Sequence, residues 1–354
     1  MKHLKFFKDI RKTNVDIAGG KGASLGEMTH LFGGQVNNNP IPNGFVILSD
    51  AFDRFVEETH LKEEIEARLA EVDPENTNTV DKASNVIRDV IHDVPMPEDL
   101  TKEILQAFDE LFANIPSDSP LIGGELNNQF VAVRSSATAE DGDVASWAGE
   151  LETYLNTTRE NVVERVKNCW SSLFTPRAIF YRHEKGLIDA YVSVAVVIQQ
   201  MIQSHVSGIT FTVHPVTEDP DQMIIEAAYG LGEAIVGGLV TPDSYIVHKS
   251  DMSIFDINVG HQTRKLMKTP KDKIIKTVNK KFVKDEDGAN EWIEIGGEGE
   301  KQKLTGKQII EVAEVCKKIE DHYGFPCDIE WAMDDKGKIF ITQSRPITTL
   351  KADK

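Results

Sequence analysis

Two carboxylates, an amide and a guanidinium fall in one short stretch near the end of the chain: Asp328, Glu330, Gln343 and Arg345. Hard oxygen donors suit Mg²⁺, and a planar guanidinium suits phosphate. Two further cations have settings that favour anions. Lys21 stands in Gly19-Gly20-Lys21-Gly22, a glycine-rich turn leading into a helix. Glycines let backbone N–H groups approach an anion closely, and a helix N-terminus adds positive potential. The G-x-x-x-x-G-K-[ST] spacing of a Walker loop is absent, and a plain turn opening a helix accounts for the same residues. Arg134 follows Phe130-Val131-Ala132-Val133 and precedes Ser135, Ser136 and Thr138. An arginine at a strand's end followed by hydroxyls aims donors at phosphate. The loop 134–143 is low in bulky side chains and could close over a ligand; a surface loop with incidental hydroxyls fits equally.

The elements that position these groups are legible in outline. Residues 328–348 read as a hairpin with Asp328 and Glu330 on one face and Ile329, Trp331 and Met333 on the other. Asp334, Asp335, Lys336 and Gly337 form the turn, Pro346 stops the second strand, and plausible registers set Gln343 beside Asp328 or Glu330. A half-exposed hairpin with solvated charges is the plainer alternative. Earlier in the chain, Gly44 to Leu48 is a strand and Ser49 an N-cap for a helix over 51–69. Residues 73–81 are a polar linker, helices follow over 82–92 and 97–113, and Thr153 to Asn156 returns as a strand. Residues 159–185 are helical, with Trp170, Leu173, Phe174, Ile179 and Phe180 as a core stripe. A strand from Tyr191 ends at Gln199-Gln200-Met201, a position from which a base edge can be hydrogen-bonded, although a solvated strand end is commoner. Gly208 to Val213 is its hairpin partner, and His214 is structural or loop-exposed. Met223 to Ala228 is a strand, and Glu233 after it either binds a metal or caps the helix that opens there. The lysine-rich stretch 250–303 reads as an excursion with a solvated charged face. Thr305 and Gln308 form a capping box for a helix whose apolar face is Ile309, Val312, Cys316, Ile319 and Tyr323.

The 354 residues suffice for two or three domains' worth of core. A net charge of −18 argues against nucleic acid or an anionic membrane as the main partner. The three cysteines have no zinc or disulfide spacing, so a reducing cytoplasm is the expected compartment. No apolar run is long enough to span a membrane, and the start lacks a signal peptide's apolar core. Strands alternate with helices, so the class is mixed α and β, and no G-x-G-x-x-G follows a first strand.

Six stretches in order, GGKGASLGEM, VAVRSSATAED with SWAGELETYLN, SLFTPRAIFYR, VIQQM with SGITFT, GLGEAIVGGLVTPDSY, and DIEW with QSRPIT, resemble the N-terminal ATP-binding domain of the phosphoenolpyruvate synthase (pyruvate, water dikinase) family. They cover the chain nearly end to end. The resemblance implies an ATP-grasp-like α+β fold, with nucleotide between two lobes, here expected over 1–190 and 191–354. It implies phosphate contacts at Lys21, Arg134 and Arg345, a phosphate-covering segment at Gly149 and Thr153, and an adenine-edge contact at Gln199. Mg²⁺ is expected on Glu330 and Gln343, with Asp328 and Glu233 nearby. In the family, ATP phosphorylates a histidine on a separate swivelling domain, and that phosphohistidine passes phosphate to pyruvate on a third domain. No stretch after the hairpin could carry either domain, so a truncated chain or one subunit of a split enzyme is expected, able to bind Mg-ATP but not to make phosphoenolpyruvate alone. His214 stands where relatives often have Asp. Rifampicin phosphotransferase shares this ATP domain and suits the motifs equally. Pyruvate, phosphate dikinase fits less well, because SSATAED replaces its methionine- and glycine-rich loop. A nucleotide-sensing module without chemistry is the alternative from another class.

Overall fold

The structure, a computed structural model, describes residues 1–33, 39–113, 129–138, 152–186, 192–269, 290–348 and 350. The chain divides into two compact units, Met1–His30 with Asn43–Met201, and Leu31–Pro42 with Ile202–Lys354. Both are built on antiparallel sheets with flanking helices, the α+β class expected.

The first unit contains β1 (Leu4–Phe6), α1 (Val15–Leu31, its last residue beyond the unit), β2 (Gly44–Ile47), α2 (Ser49–Glu58), α3 (Lys62–Ala70), α4 (Thr77–Asp93), α5 (Glu98–Phe112), β3 (Val131–Ala137), β4 (Thr153–Thr157), α6 (Val162–Ser171), α7 (Pro176–Glu184) and β5 (Val194–Gln200). Its five strands run in the order β1-β2-β5-β3-β4. β5 lies between β2 and β3, so the division falls after Met201 rather than at the expected 190. The core packs on one face of this sheet. Val131, Val133 and Ala137 belong to one buried cluster with Phe52, Phe55 and Trp170 there, and the Phe55 and Trp170 rings are 5.0 Å apart.

Several expected boundaries move for local reasons. The helix expected over 51–69 breaks at His60, which is left-handed at φ 57°. The Leu61 N–H donates to the Val56 C=O and the His60 N–H to the Glu57 C=O, a Schellman closure with histidine where glycine is usual. Ser49 is the first helical residue, not a cap; Leu48 precedes it without a side-chain cap. Half of the expected linker joins α4, because the Asn76 side chain accepts from the Asn78 N–H and starts the helix at Thr77. Phe180, expected in the core stripe, is 44% exposed on α7.

The second unit contains β6 (Val206–Phe211), β7 (Gln222–Tyr229), α8 (Glu233–Val236), β8 (Asp243–His248), β9 (Ser253–Asn258), β10 (Arg264–Lys268), β11 (Asn290–Glu294), α9 (Gly306–Tyr323), β12 (Cys327–Met333) and β13 (Ile339–Pro346). Six strands form a sheet in the order β13-β12-β6-β7-β8-β9, and β10 pairs with β11. β6 pairs with β7 and β12, so it is not the hairpin partner of β5. α9 begins at the expected capping box, ends at left-handed Gly324, and buries Ile309, Val312, Cys316 and Ile319. Residues 31–42 belong here: the Ile341 N–H donates to the Pro40 C=O at 2.8 Å, and Lys318 stands 4.6 Å from the Phe32 ring.

One charge of the 250–303 stretch is not solvated. The Lys303 ammonium is fully buried 2.8 Å from Asp243, whose side chain is equally inaccessible. Asp243 also accepts from the Tyr245 hydroxyl and from the Gly260 and Lys303 N–H groups. The ammonium donates further to the Gly260 and Gly299 carbonyls. Every charge has partners, which is the condition for burying an ion pair. No helix among the described residues is long and apolar enough to cross a membrane.

Candidate functional site

In the first unit, the sequence motifs meet on the sheet face opposite the core. Arg134 was expected at a strand's end; β3 instead continues through Ala137. Arg134 is therefore a mid-strand residue, opposite Val197 of β5 and Thr153 of β4. Ser135 and Ser136 are buried strand residues rather than loop hydroxyls. Their hydroxyls are satisfied over long range. Ser135 Oγ reaches Cys169 C=O and Ser172 Oγ on the core side, and Ser136 Oγ bonds residues of α1 on the other. Directly paired residues share a face, and so do residues two apart along a strand. Gln199 pairs with Ala132, which puts Gln199, Arg134, Ser136 and Thr153 on one face. Gln199 is buried near the end of β5, the middle strand of the sheet, and is not solvated, whereas Gln200 points the other way and donates to Leu111 C=O. Gly149 lies outside the described residues, as does the rest of 139–151.

The glycine-rich turn is real and lies over that face. α1 breaks at Gly19, with φ 68° and ψ 170°. A Cβ on Gly19 would stand 2.2 Å from Ser136 Oγ, and one on Gly22 would stand 3.0 Å from Val46 of β2. Glycine at these positions lets the turn that carries Lys21 press onto β2 and β3. Lys21 and Arg134 are thus brought to one side of one sheet, a two-cation arrangement that can meet a polyanion.

The second unit carries the acidic candidates. β12 and β13 form the expected hairpin, with Glu330 directly opposite Gln343 and Asp328 opposite Arg345. A bulge follows Glu330, since Trp331 pairs with Ile341. Ile329 and Trp331 point to the buried side, where the indole N–H donates to Thr210 Oγ1. Arg345 Nε and Nη2 both donate to one oxygen of Asp328, at 2.8 and 2.6 Å. That contact sets the direction of the guanidinium and occupies Asp328. Burial pushes the Asp328 carboxyl above the usual carboxylate range, although Arg345 pulls it down.

Mg²⁺ takes one or two carboxylates from protein and completes its shell with phosphate oxygens and water. Glu330 and Gln343, facing each other across the ribbon, offer one carboxylate and one amide oxygen, a donor set that fits this ion. Among the described residues no three His, Cys, Asp or Glu side chains assemble around a common point. Glu233 is exposed on the short helix α8, beyond Tyr229, the β7 residue level with Val206. Val206 in turn pairs with Met333, at the far end of β12 from Asp328. His214 is a loop residue whose Nδ1 accepts from the Val216 and Thr217 N–H groups. The three cysteines are free and buried, and burial pushes each thiol up to about 12, which leaves them inert as nucleophiles.

Sequence reading passed over Glu226. It lies level with Ile209, which lies level with Glu330, so the two carboxylates share the open face one strand apart. Its signal was a lone charge in the apolar strand Met223-Ile224-Ile225-Glu226-Ala227-Ala228. Burial raises its pKa, and the Asp328 charge adds to that. A carboxyl raised by folding holds its proton more tightly in the folded chain. Its contribution is full below the ordinary glutamate value of 4.5 and is lost as pH rises through the raised value. Glu226→Gln is therefore expected to raise the denaturant midpoint at pH 7 and to leave it unchanged near pH 4. Equal midpoints at both pH values would refute this.

Residues 15–354 match the family described as pyruvate phosphate dikinase, AMP/ATP-binding domain. A probable phosphoenolpyruvate synthase of Methanocaldococcus jannaschii is 42% identical over the whole chain, which covers 27% of that protein. A probable phosphoenolpyruvate synthase of Pyrococcus horikoshii is 40% identical, and the phosphoenolpyruvate synthase of Pyrococcus furiosus is 39% identical. Each aligns with 99% of this chain and is itself covered to 44%. The chain thus spans less than half the length of these relatives. A solved L-amino acid ligase of Bacillus licheniformis aligns with 79% of the chain and 50% of its own, at 10% identity and a TM-score of 0.24, which supports no fold assignment. By the match over residues 15–354, this chain belongs to the pyruvate phosphate dikinase AMP/ATP-binding domain family.

Proposed function

We propose that this chain binds Mg-ATP, in an ATP-grasp-like manner, as the nucleotide-binding part of a phosphotransferase of the phosphoenolpyruvate synthase kind. The observation that carries the reading is the shared sheet face of Arg134, Thr153, Gln199 and the Lys21 turn. Lys21 and Arg134 neutralise phosphate oxygens, Gln199 hydrogen-bonds the adenine edge, and Thr153 with Gly149 borders the phosphates. Arg345 contacts phosphate from a guanidinium whose direction Asp328 sets. Glu330 and Gln343 would hold Mg²⁺, which would supply positive charge to offset that of the phosphates. Asp328 and Glu233 are the further acidic candidates for that ion. No general base is assigned, because phosphoryl transfer needs positioning and charge neutralisation more than proton removal.

The acceptor in this proposal is a histidine on a swivelling domain, from which phosphate passes to pyruvate on a third domain, in the same polypeptide or a partner subunit. The cytoplasm is the proposed setting. The test incubates the full-length protein with Mg-ATP and either pyruvate or rifampicin. Phosphoenolpyruvate formation supports the reading. Phosphorylated rifampicin instead reassigns the acceptor and keeps the ATP site, and nucleotide binding without either product favours a sensing module.

A further inference from the structure

In an unbroken helix the N–H of Gly22 would donate to the C=O of Ala18. The turn at Gly19 takes the chain off the helical path, and this bond is replaced. Ser136 Oγ stands in its place: it accepts from the Gly22 N–H at 3.2 Å and donates to the Ala18 C=O at 2.9 Å. One hydroxyl thus serves two of the backbone groups at the break. The bridge is fully buried, and β3 is fixed there by the pairing of Ser136 with Ala195. Because residue 19 has no Cβ, the turn can come close enough for the hydroxyl to reach across it. Lys21 is the residue just before the bonded Gly22, and Arg134 is two residues before Ser136 on the same face.

We propose that Ser136 is a positioning residue for nucleotide binding: its hydroxyl closes the break in α1 and fixes Lys21 relative to Arg134 so that both meet the phosphates. This rests on the reading of Lys21 and Arg134 as phosphate contacts. The ligands that respond are nucleoside di- and triphosphates, since the turn carries the phosphate cation and no group assigned to the base.

The neighbouring Ser135 is the matched control. It is also a buried serine of β3, but its hydroxyl faces the core and bonds Cys169 C=O and Ser172 Oγ. The experiment measures Mg-ATP affinity and amide exchange in the full-length protein for wild type, Ser136→Ala, Ser135→Ala, Lys21→Ala and the Ser136→Ala/Lys21→Ala double variant. Ser136→Ala strands a buried N–H and a buried C=O, so exchange at residues 18–24 should rise and Mg-ATP affinity should fall about tenfold. Ser135→Ala should change neither. The double variant should bind no more weakly than Lys21→Ala, because the bridge acts through the lysine. Additive losses, or unchanged exchange in Ser136→Ala, overturn the inference. If Lys21→Ala weakens binding and Ser136→Ala does not, the inference fails and the phosphate reading stands. If Lys21→Ala binds like wild type, the phosphate reading fails and takes the inference with it.

Discussion

Lys303→Met is expected to lower the stability of the second unit by about 3–5 kcal/mol, read as a fall in its chemical-denaturation midpoint. The pair it breaks has no access to water on either side. In wild type the ammonium stands 2.8 Å from Asp243 and donates to two carbonyls, so its desolvation is compensated by a counter-charge and hydrogen bonds. With methionine the Asp243 carboxylate keeps the Tyr245 hydroxyl and two backbone N–H donors but loses its only ion-pair partner among the described residues. The Gly260 and Gly299 carbonyls lose a donor at the same time. Lys307→Met is the comparison. Lys307 is 85% exposed and pairs with Glu311 one helical turn away, where solvent screens the charges and the two long side chains give up rotamer freedom to stay paired. Its midpoint should barely move. A Lys303→Met midpoint equal to that of Lys307→Met would mean that the buried pair is not what holds Gly260, Gly299 and Lys303 to Asp243 of β8.

Arg134→Ala is expected to weaken Mg-ATP binding by about 2–5 kcal/mol, roughly 30-fold to several thousand-fold in Kd. The magnitude follows from burial. Arg134 is 8% exposed in the middle of an antiparallel sheet, so a phosphate bound there in the proposed manner would lose a desolvated counter-charge, not a screened surface one. Its backbone pairing on both sides survives truncation, and the denaturation midpoint should change far less than the affinity. A Kd within threefold of wild type would remove Arg134 from the site.

The hairpin was legible because its first strand alternates with period two, Asp334 to Gly337 is turn chemistry, and Pro346 ends the second strand. The pairing of Glu330 with Gln343 was one of the registers that pattern allowed. The bulge after Glu330 was not legible, since an extra residue in one strand depends on the partner. Ser135 and Ser136 were read as loop because small polar residues are poor strand formers taken locally. What makes them strand residues is distant: Cys169, Ser172, Ala18 and Gly22 satisfy their hydroxyls. The same limit explains Lys303, which follows the charged residues Glu298, Glu300 and Lys301 and whose buried partner is sixty residues away in sequence. β6 was assigned to the wrong neighbour because adjacency in sequence is only a bias towards pairing. The glycine turn before Lys21 was read correctly as a turn, but the hydroxyl that closes it came from a strand over a hundred residues further on.

In the proposed function this chain binds Mg-ATP, with Lys21 on phosphate and Glu330 on Mg²⁺. The most direct measurement is a calorimetric titration of the protein with ATP, with and without Mg²⁺, beside Lys21→Ala and Glu330→Ala. Binding that strengthens with Mg²⁺ in wild type, weakens in both variants, and loses its Mg²⁺ dependence in Glu330→Ala is the predicted result. Wild-type binding that ignores Mg²⁺, or variants that bind as wild type does, would contradict the account.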